Sequence, residues 1–286
     1  EAVVHDGLQK FLKGGYETLQ NHENNAADES YVNWMWKAGG GTTSANTDGS
    51  GATLASTIQA NQDAGFSIVE VTAPGSPSGT YKIAHGLGAV PHWIIGKNRE
   101  NSGGYNWSVF HHKSSSVPQN EFLELNTSDA YADNDTVWGD TAPTSSVFTV
   151  GTGVPLLANE KTIFYCWTGI PGFSKFGGYI GNNSTNGPFV NTGFKPALVI
   201  IKSTSGHTGY PWAMYDNARS PTNPVHPMLE ANRNVAEVTL DEIDFLSNGF
   251  KLRQSYSYSN AAVYYLYMAF AQHPFLGDGT NPATAR

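Results

Sequence analysis

Gly193-Phe-Lys-Pro-Ala-Leu-Val-Ile-Ile-Lys202, followed by Trp212-Ala-Met-Tyr-Asp216, decides how the chain is read, because the sequence has already stated it once. Upstream stand His85-Gly-Leu-Gly-Ala-Val-Pro-His-Trp-Ile-Ile-Gly-Lys97 and then Trp107-Ser-Val-Phe110. Pro91 and Pro196, Lys97 and Lys202, Trp107 and Trp212, and Phe110 and Tyr215 are each 105 residues apart. A proline, an apolar run, a lysine and an aromatic at one offset mark a tandem duplication. The unit has to be found before a fold is assigned.

The duplication extends outward from there. Phe122-Leu-Glu-Leu125 is answered by Met228-Leu-Glu-Ala231, Phe148 by Phe250, and Lys161–Trp167 by Val263–Phe270. Pro171-Gly-Phe173 and His273-Pro-Phe275 close the two units, and Ser30-Tyr-Val-Asn-Trp-Met-Trp-Lys37 reads as a further copy of the closing strand. The expected organisation is a helical or anchoring segment over 1–30, then a remnant strand and linker of a preceding repeat over 31–64. Two full repeats follow over 65–176 and 177–286, with Gly177-Gly178 as the joint.

Between these landmarks, short runs of apolar and β-branched residues alternate with Gly, Pro, Asn, Asp and Ser, the pattern of many short strands. The fold class that follows is all-β: tandem β-sandwich domains, jelly-roll or lectin-like, with a short N-terminal helix. The helix is expected because Val4, Leu8, Phe11, Leu12, Tyr16 and Leu19 recur every three to four residues, with an interruption at Gly14-Gly15. Its apolar residues either cap the first sheet or form an oligomer or anchor contact through Val4, Leu8, Phe11 and Leu12. Residues 31–37 should form a strand with Tyr31, Asn33 and Met35 on one face and Val32, Trp34 and Trp36 on the other. One helical turn is conceivable over Glu237–Leu246.

Charged residues make up 14% of the 286, against roughly 25% in ordinary soluble domains, and Gly, Ser, Thr and Asn are abundant. That profile fits secreted and virion β-proteins. A formal net charge of −8 without Lys/Arg runs argues against a nucleic-acid partner. No apolar run is long enough to span a membrane, so no membrane insertion is expected. The single cysteine, Cys166, lies in an apolar strand and has no partner for an internal disulfide.

Residues present in only one repeat are the better candidates for function, because the shared scaffold does not account for them. The richest stretch is Ser128–Asp140, with Asp129, Asp133, Asp135 and Asp140 beside Tyr131 and Trp138. Carboxylates hydrogen-bond sugar hydroxyls and aromatic faces stack on sugar rings, so this is the candidate carbohydrate site. The same oxygens suit calcium, although Asp133-Asn-Asp135 is only a fragment of a calcium loop; the alternative is an ordinary exposed loop. Trp107 and Trp212 fill the two cores or offer stacking surfaces. Lys97 and Lys202 end apolar strands and snorkel at a sheet edge. Asp216 and Arg219 pair with each other. His85, His92, His111 and His112 cluster in the first repeat, but adjacent His111 and His112 face opposite ways in a strand, which disfavours joint zinc or iron ligation. No nucleophile elbow, zinc-protease helix, phosphate loop or dinucleotide fingerprint is present, so no catalytic residues are assigned. Glu121 with Glu124, or Asp241 with Asp244, supply carboxylate pairs whose spacing is not diagnostic of a glycosidase.

At several of these motifs the chain resembles the repeated-β-domain virion proteins, of tail-fibre type, of marine tailed bacteriophages. The residues that carry it are Tyr31–Gly40, His85-Gly-Leu-Gly88 with Pro91 and Ile94–Arg99, Thr141–Phe148, Gly172–Tyr179, Thr192–Lys202, Asp244–Leu252 and Tyr267–Ala271 ending in His273-Pro-Phe275. The resemblance implies a virion component made of repeated β domains, assembled in the host cytoplasm and then extracellular, homo-oligomeric and commonly trimeric, with other virion proteins as partners; it supplies no ligand or reaction, and a non-enzymatic protein is the leading expectation. Attachment to host-surface glycans is the expected role. A purely structural capsid-decoration or baseplate role and a polysaccharide depolymerase are the alternatives. No cofactor is expected apart from the calcium option.

Overall fold

A computed structural model describes residues 8–12, 15–19, 25–39, 41–45, 49–100, 104–153, 156–204 and 210–273; of 44, 45 and 241 it describes the backbone alone. The chain forms two compact units, 1–36 and 37–286.

In the smaller unit, β1 (Leu8–Leu12) and β2 (Gly15–Thr18) pair as an antiparallel hairpin with Leu12 opposite Gly15. The helix expected over the start of the chain is therefore corrected to a hairpin across the described residues. Two consecutive glycines disfavour a helix by roughly 1 kcal/mol each. A cross-strand pair, Lys10 Nζ to Glu17 Oε2 at 2.8 Å, bridges them. Phe11 is 72% exposed and Leu12 52% exposed, and Leu8 is half-buried; Val4 lies outside the described residues. Residues 31–37 have no ladder partner among the described residues. Their exposure nonetheless alternates as a strand would, with Tyr31, Asn33 and Met35 outward and Val32, Trp34 and Trp36 partly covered.

The larger unit holds both repeats. The first contains β3 (Thr43–Ala45), β4 (Ser56–Asn61), β5 (Phe66–Thr72), β6 (Thr80–Ala84), β7 (Trp93–Asn98), β8 (Ser108–His111), a 3-10 turn (Pro118–Asn120), β9 (Glu121–Glu124), β10 (Ala132–Asp133), the one-turn α-helix α1 (Asp135–Trp138), β11 (Val147–Gly151) and β12 (Lys161–Trp167). The second contains β13 (Ser174–Ile180), β14 (Phe189–Asn191), β15 (Pro196–Ser203), β16 (Ala213–Asp216), β17 (Val225–Glu230), β18 (Val238–Leu246), β19 (Gly249–Leu252) and β20 (Tyr264–Ala271). Every named pairing is antiparallel, and the protein is an all-β sandwich.

The duplication is visible strand for strand. The first sheet runs β10-β9-β8-β7-β12-β5-β4-β3 beside a two-stranded β11-β6 sheet, and the second runs β13-β20-β15-β16-β17-β18-β19-β14. The shared order is β5-β12-β7-β8-β9 against β13-β20-β15-β16-β17, with β11-β6 matching β19-β14. β3 and β4 extend the first sheet, and Ile58 of β4 enters its core, so 43–45 and 56–61 are strands of that sheet. The turns after β6 and β14 also match. Gly86 and Gly193 have positive φ, 73° and 86°. The residue before each glycine accepts from the backbone of the residue after it, His85 Nδ1 from Leu87 N at 3.2 Å and Thr192 Oγ1 from Phe194 N at 3.4 Å.

Each repeat has its own core. The first gathers Val69, Ile83, Ile94, Phe110, Trp138, Phe148 and Phe164, and the second gathers Tyr179, Val199, Ile201, Tyr215, Met228, Ile243, Phe250 and Tyr265. They close differently. In the second, β18 pairs with both β17 and β19, and the sheet curls until Tyr179 of β13 stacks on Tyr265 at 5.3 Å and meets Phe250 of β19 edge-on at 6.0 Å. The helical turn considered over Glu237–Leu246 is thus a strand. Its period is broken because two extra residues lie between its Thr239 and Ile243 pairings with β17, a bulge. In the first repeat β10 is two residues long, and α1 drops Val137 and Trp138 into the gap. Gly177 and Gly178, expected as a joint, lie inside β13; a side chain there would meet the rings of Tyr267 and Tyr264.

Candidate functional site

The 128–140 stretch does not form one site. Asn134 caps α1 by accepting from Thr136 N at 2.9 Å, and Gly139 ends the turn in the left-handed region. Between them Trp138 is 2% exposed and meets Phe110 edge-on at 5.9 Å. It closes the core and cannot stack on a sugar, which corrects its assignment as an exposed aromatic. Asp133 sits in β10 opposite Glu121, Asp135 opens α1 and Asp140 follows Gly139; all three are exposed. Among the described residues no group of three acidic, His or Cys side chains is placed to hold a metal ion.

The other end of the stretch goes elsewhere, into the seam between the repeats. Tyr131 N donates to Thr204 O at 3.1 Å, Lys202 Nζ donates to Ser128 O at 2.9 Å and to Tyr210 O at 3.0 Å, and Trp212 Nε1 donates to Glu124 O at 3.0 Å. Asn232 Nδ2 reaches Ser128 Oγ at 3.1 Å. Lys202 and Trp212 are both fully buried. Burial pushes the Lys202 ammonium down to about 8, and the carboxylate of Asp129 acts in the opposite sense. The snorkelling expected for Lys202 is replaced by a buried cation satisfied by main-chain carbonyls, while Trp212 is indeed internal.

The histidines of the first repeat complete the seam. His111 Nδ1 accepts from Lys113 N at 3.2 Å, which leaves Nε2–H to donate to Tyr267 O of β20 at 3.3 Å. His112 Nε2–H donates to Phe176 O of β13 at 3.0 Å, and its ring stacks on His92 at 4.1 Å. Burial lowers all three, His112 to about 4. His111 and His112 are neutral donors that tie the first repeat to carbonyls of the second, while His92 Nδ1 accepts from Gly169 N at 2.9 Å.

Beside these bonds lies a cleft of about 330 Å³ lined by Lys113, Ser114, Ser115, Ser116, Tyr131, Thr204 and Tyr264. Small-ligand sites begin at about 300 Å³. Ser114 is 4% exposed and its hydroxyl has no hydrogen-bond partner. A buried hydroxyl left unsatisfied costs on the order of 1–3 kcal/mol. Tyr131 and Tyr264 supply aromatic faces, Thr204 and the serines supply hydroxyls, and Lys113 supplies an exposed cation. Of the residues expected from sequence, Tyr131 alone is among the described residues that line this cleft. Ser114-Ser115-Ser116 has no counterpart in the second repeat, the signal that singled out 128–140, but an unadorned serine run carries less apparent chemistry than four aspartates.

The carboxylate pairs fare less well. Glu121 is buried with Oε2 unpartnered, and Glu124 is half-buried. Asp244 is paired with Arg253, and the side chain of Asp241 is not among those described. Asp216 pairs with Arg219 as expected, Arg219 Nε donating to Oδ2 at 2.7 Å. Among the described residues no helix is long and apolar enough to cross a membrane. No curated protein and no solved structure is significantly similar to this chain. Residues 1–274 match the family model described as Domain of unknown function (DUF7483), and the chain belongs to that family.

Proposed function

We propose that this protein is a non-enzymatic component of a phage particle that binds a host-surface glycan in the cleft between its two repeats. The observation that carries the ligand reading is the cleft itself, about 330 Å³ and lined by Tyr131, Tyr264, Thr204 and a row of serines. Sugars need that mixture: donors and acceptors for their hydroxyls and flat apolar surface for their C–H faces. Hydrolysis of a glycosidic bond needs two carboxylates about 5–10 Å apart. Among the described residues the cleft lining includes no carboxylate, which favours binding over a depolymerase. The virion assignment rests on the resemblance of the repeat motifs.

A structural role in the particle is the second reading, favoured by the outward Phe11, Leu12 and Met35 of the smaller unit. These apolar groups suit contact with other virion proteins or with further copies in a homotrimer. The two readings separate by measuring saturable binding of the purified protein to host cells and to polysaccharide extracted from them. Binding that drops about tenfold on Tyr131→Ala or Tyr264→Ala, the scale of one lost stacking contact, supports the cleft. Absence of binding to any host surface leaves the structural role. Release of reducing sugar would instead favour the depolymerase.

A further inference from the structure

The duplicated lysine–tryptophan pair forms the same device twice, and one copy is occupied. In the second repeat Lys202 Nζ donates to Tyr210 O, and Trp212 N donates to Asn232 Oδ1 at 3.0 Å. In the first repeat Lys97 Nζ donates to Tyr105 O, and Trp107 N donates to Asn126 Oδ1 at 2.8 Å. The backbone repeats too, with Ala231 N to Trp212 O at 3.0 Å and Leu125 N to Trp107 O at 2.9 Å. The second copy is a filled socket: segment 124–131 of the first repeat lies over it and accepts from Lys202 and Trp212 through the carbonyls of Ser128 and Glu124.

Among the described residues, no segment of another repeat lies over the first copy. Lys97 and Trp107 are half-buried, Tyr105 is 41% exposed, and the Trp107 indole N–H has no acceptor among the described residues. At the far end of the unit, the second repeat carries the counterpart of the covering segment. Glu230-Ala-Asn-Arg-Asn-Val-Ala-Glu237 corresponds to Glu124–Tyr131. Its residues 233–237 are exposed and unpaired in any ladder, and Val235 is 44% exposed. The covering contact is made largely by main-chain carbonyls, so it does not require the same side chains. The charges of the free segment are matched, Arg233 with Glu230 at 2.9 Å and Arg219 with Glu237 at 2.9 Å, so none enters the contact uncompensated.

We propose that the Lys97–Tyr105–Trp107 face is a docking socket for segment 230–237 of a second copy of this chain, repeating between molecules the contact that joins the two repeats within one. Such a contact is heterologous: it builds a ring if the rotation closes and an open series if it does not. The test is sedimentation velocity of the full chain across a concentration series, with Lys97→Met removing the socket donor and Val235→Arg placing a cation against it. The wild type sediments above the monomer as concentration rises, each variant stays monomeric with an unchanged melting curve, and an equimolar mixture of the two forms a heterodimer, because one retains its segment and the other its socket. A wild type that remains monomeric at every concentration overturns the proposal. So does association that both variants leave intact, or variants that fail to complement.

Discussion

The two repeats share a strand order but close their cores by opposite means, and the difference shows where a duplicated fold is free to change. The second repeat spends nine residues on β18, which carries the sheet from β17 to β19 and brings a carboxylate, Glu242, fully inside. Glu242 Oε2 accepts from the buried Tyr215 hydroxyl, Oε1 has no partner, and burial pushes the carboxyl up to about 7. The first repeat shortens the equivalent strand to two residues and fills the opening with an indole. One closure is a polar ladder, the other an apolar plug. The segment before the plug, 124–131, covers the lysine and tryptophan of the second repeat.

The largest expected effect tests the plug. Trp138→Ala removes a buried indole from the first core and should cost about 3–5 kcal/mol, read by denaturant unfolding. A loss under about 1 kcal/mol would mean that α1 is peripheral. Next comes the contrast between occupied and open sockets. Lys202→Met leaves two carbonyls at the seam without their donor and should cost about 2–4 kcal/mol, while Lys97→Met should cost less than about 1 kcal/mol. Equal costs would break the claimed asymmetry.

The carboxylate of the ladder gives a smaller effect with a definite sign. Folding favours the protonated form of Glu242, so its contribution is present below the unfolded value of 4.5 and is lost as pH rises through about 7. Glu242→Gln, always neutral, should therefore stabilise by about 1–3 kcal/mol at pH 8 and by less at pH 5. The histidines of the first repeat have the opposite sign. His85 and His112 are held neutral with values of about 4 against an unfolded 6.5. Acid therefore charges the unfolded chain first, and stability should fall as pH drops from 6.5 toward 4, by about 1.4 kcal/mol per unit for each histidine. Hydrogen exchange followed through that window should loosen the seam peptides around 92, 112 and 176 before those of β18. Loosening in the reverse order would contradict the account.

The sheets were legible because the duplication repeats their landmarks: Pro91 with Pro196 and Trp107 with Trp212 mark matched strands whatever the local pattern says. The failures each have a physical source. Leu8, Phe11 and Leu12 stand at helical spacing, yet two glycines beside them favour a hairpin. The bulge in β18 adds residues that disturb its alternation. Trp138 looks exposed because its sequence neighbours are aspartates, but a single capped turn buries it while they remain outside. The seam was hidden for another reason. Its decisive acceptors are the carbonyls of Glu124, Ser128, Phe176 and Tyr267, and a main-chain oxygen leaves no mark on residue identity.

The most direct test of a ligand cleft at that seam is hydrogen–deuterium exchange of the whole chain with and without soluble host-surface polysaccharide. The account predicts protection confined to peptides containing 113–116, 131, 204 and 264, with the 133–140 loop unchanged. Protection centred on 133–140 with the seam peptides unaffected would contradict it and return the site to the acidic loop.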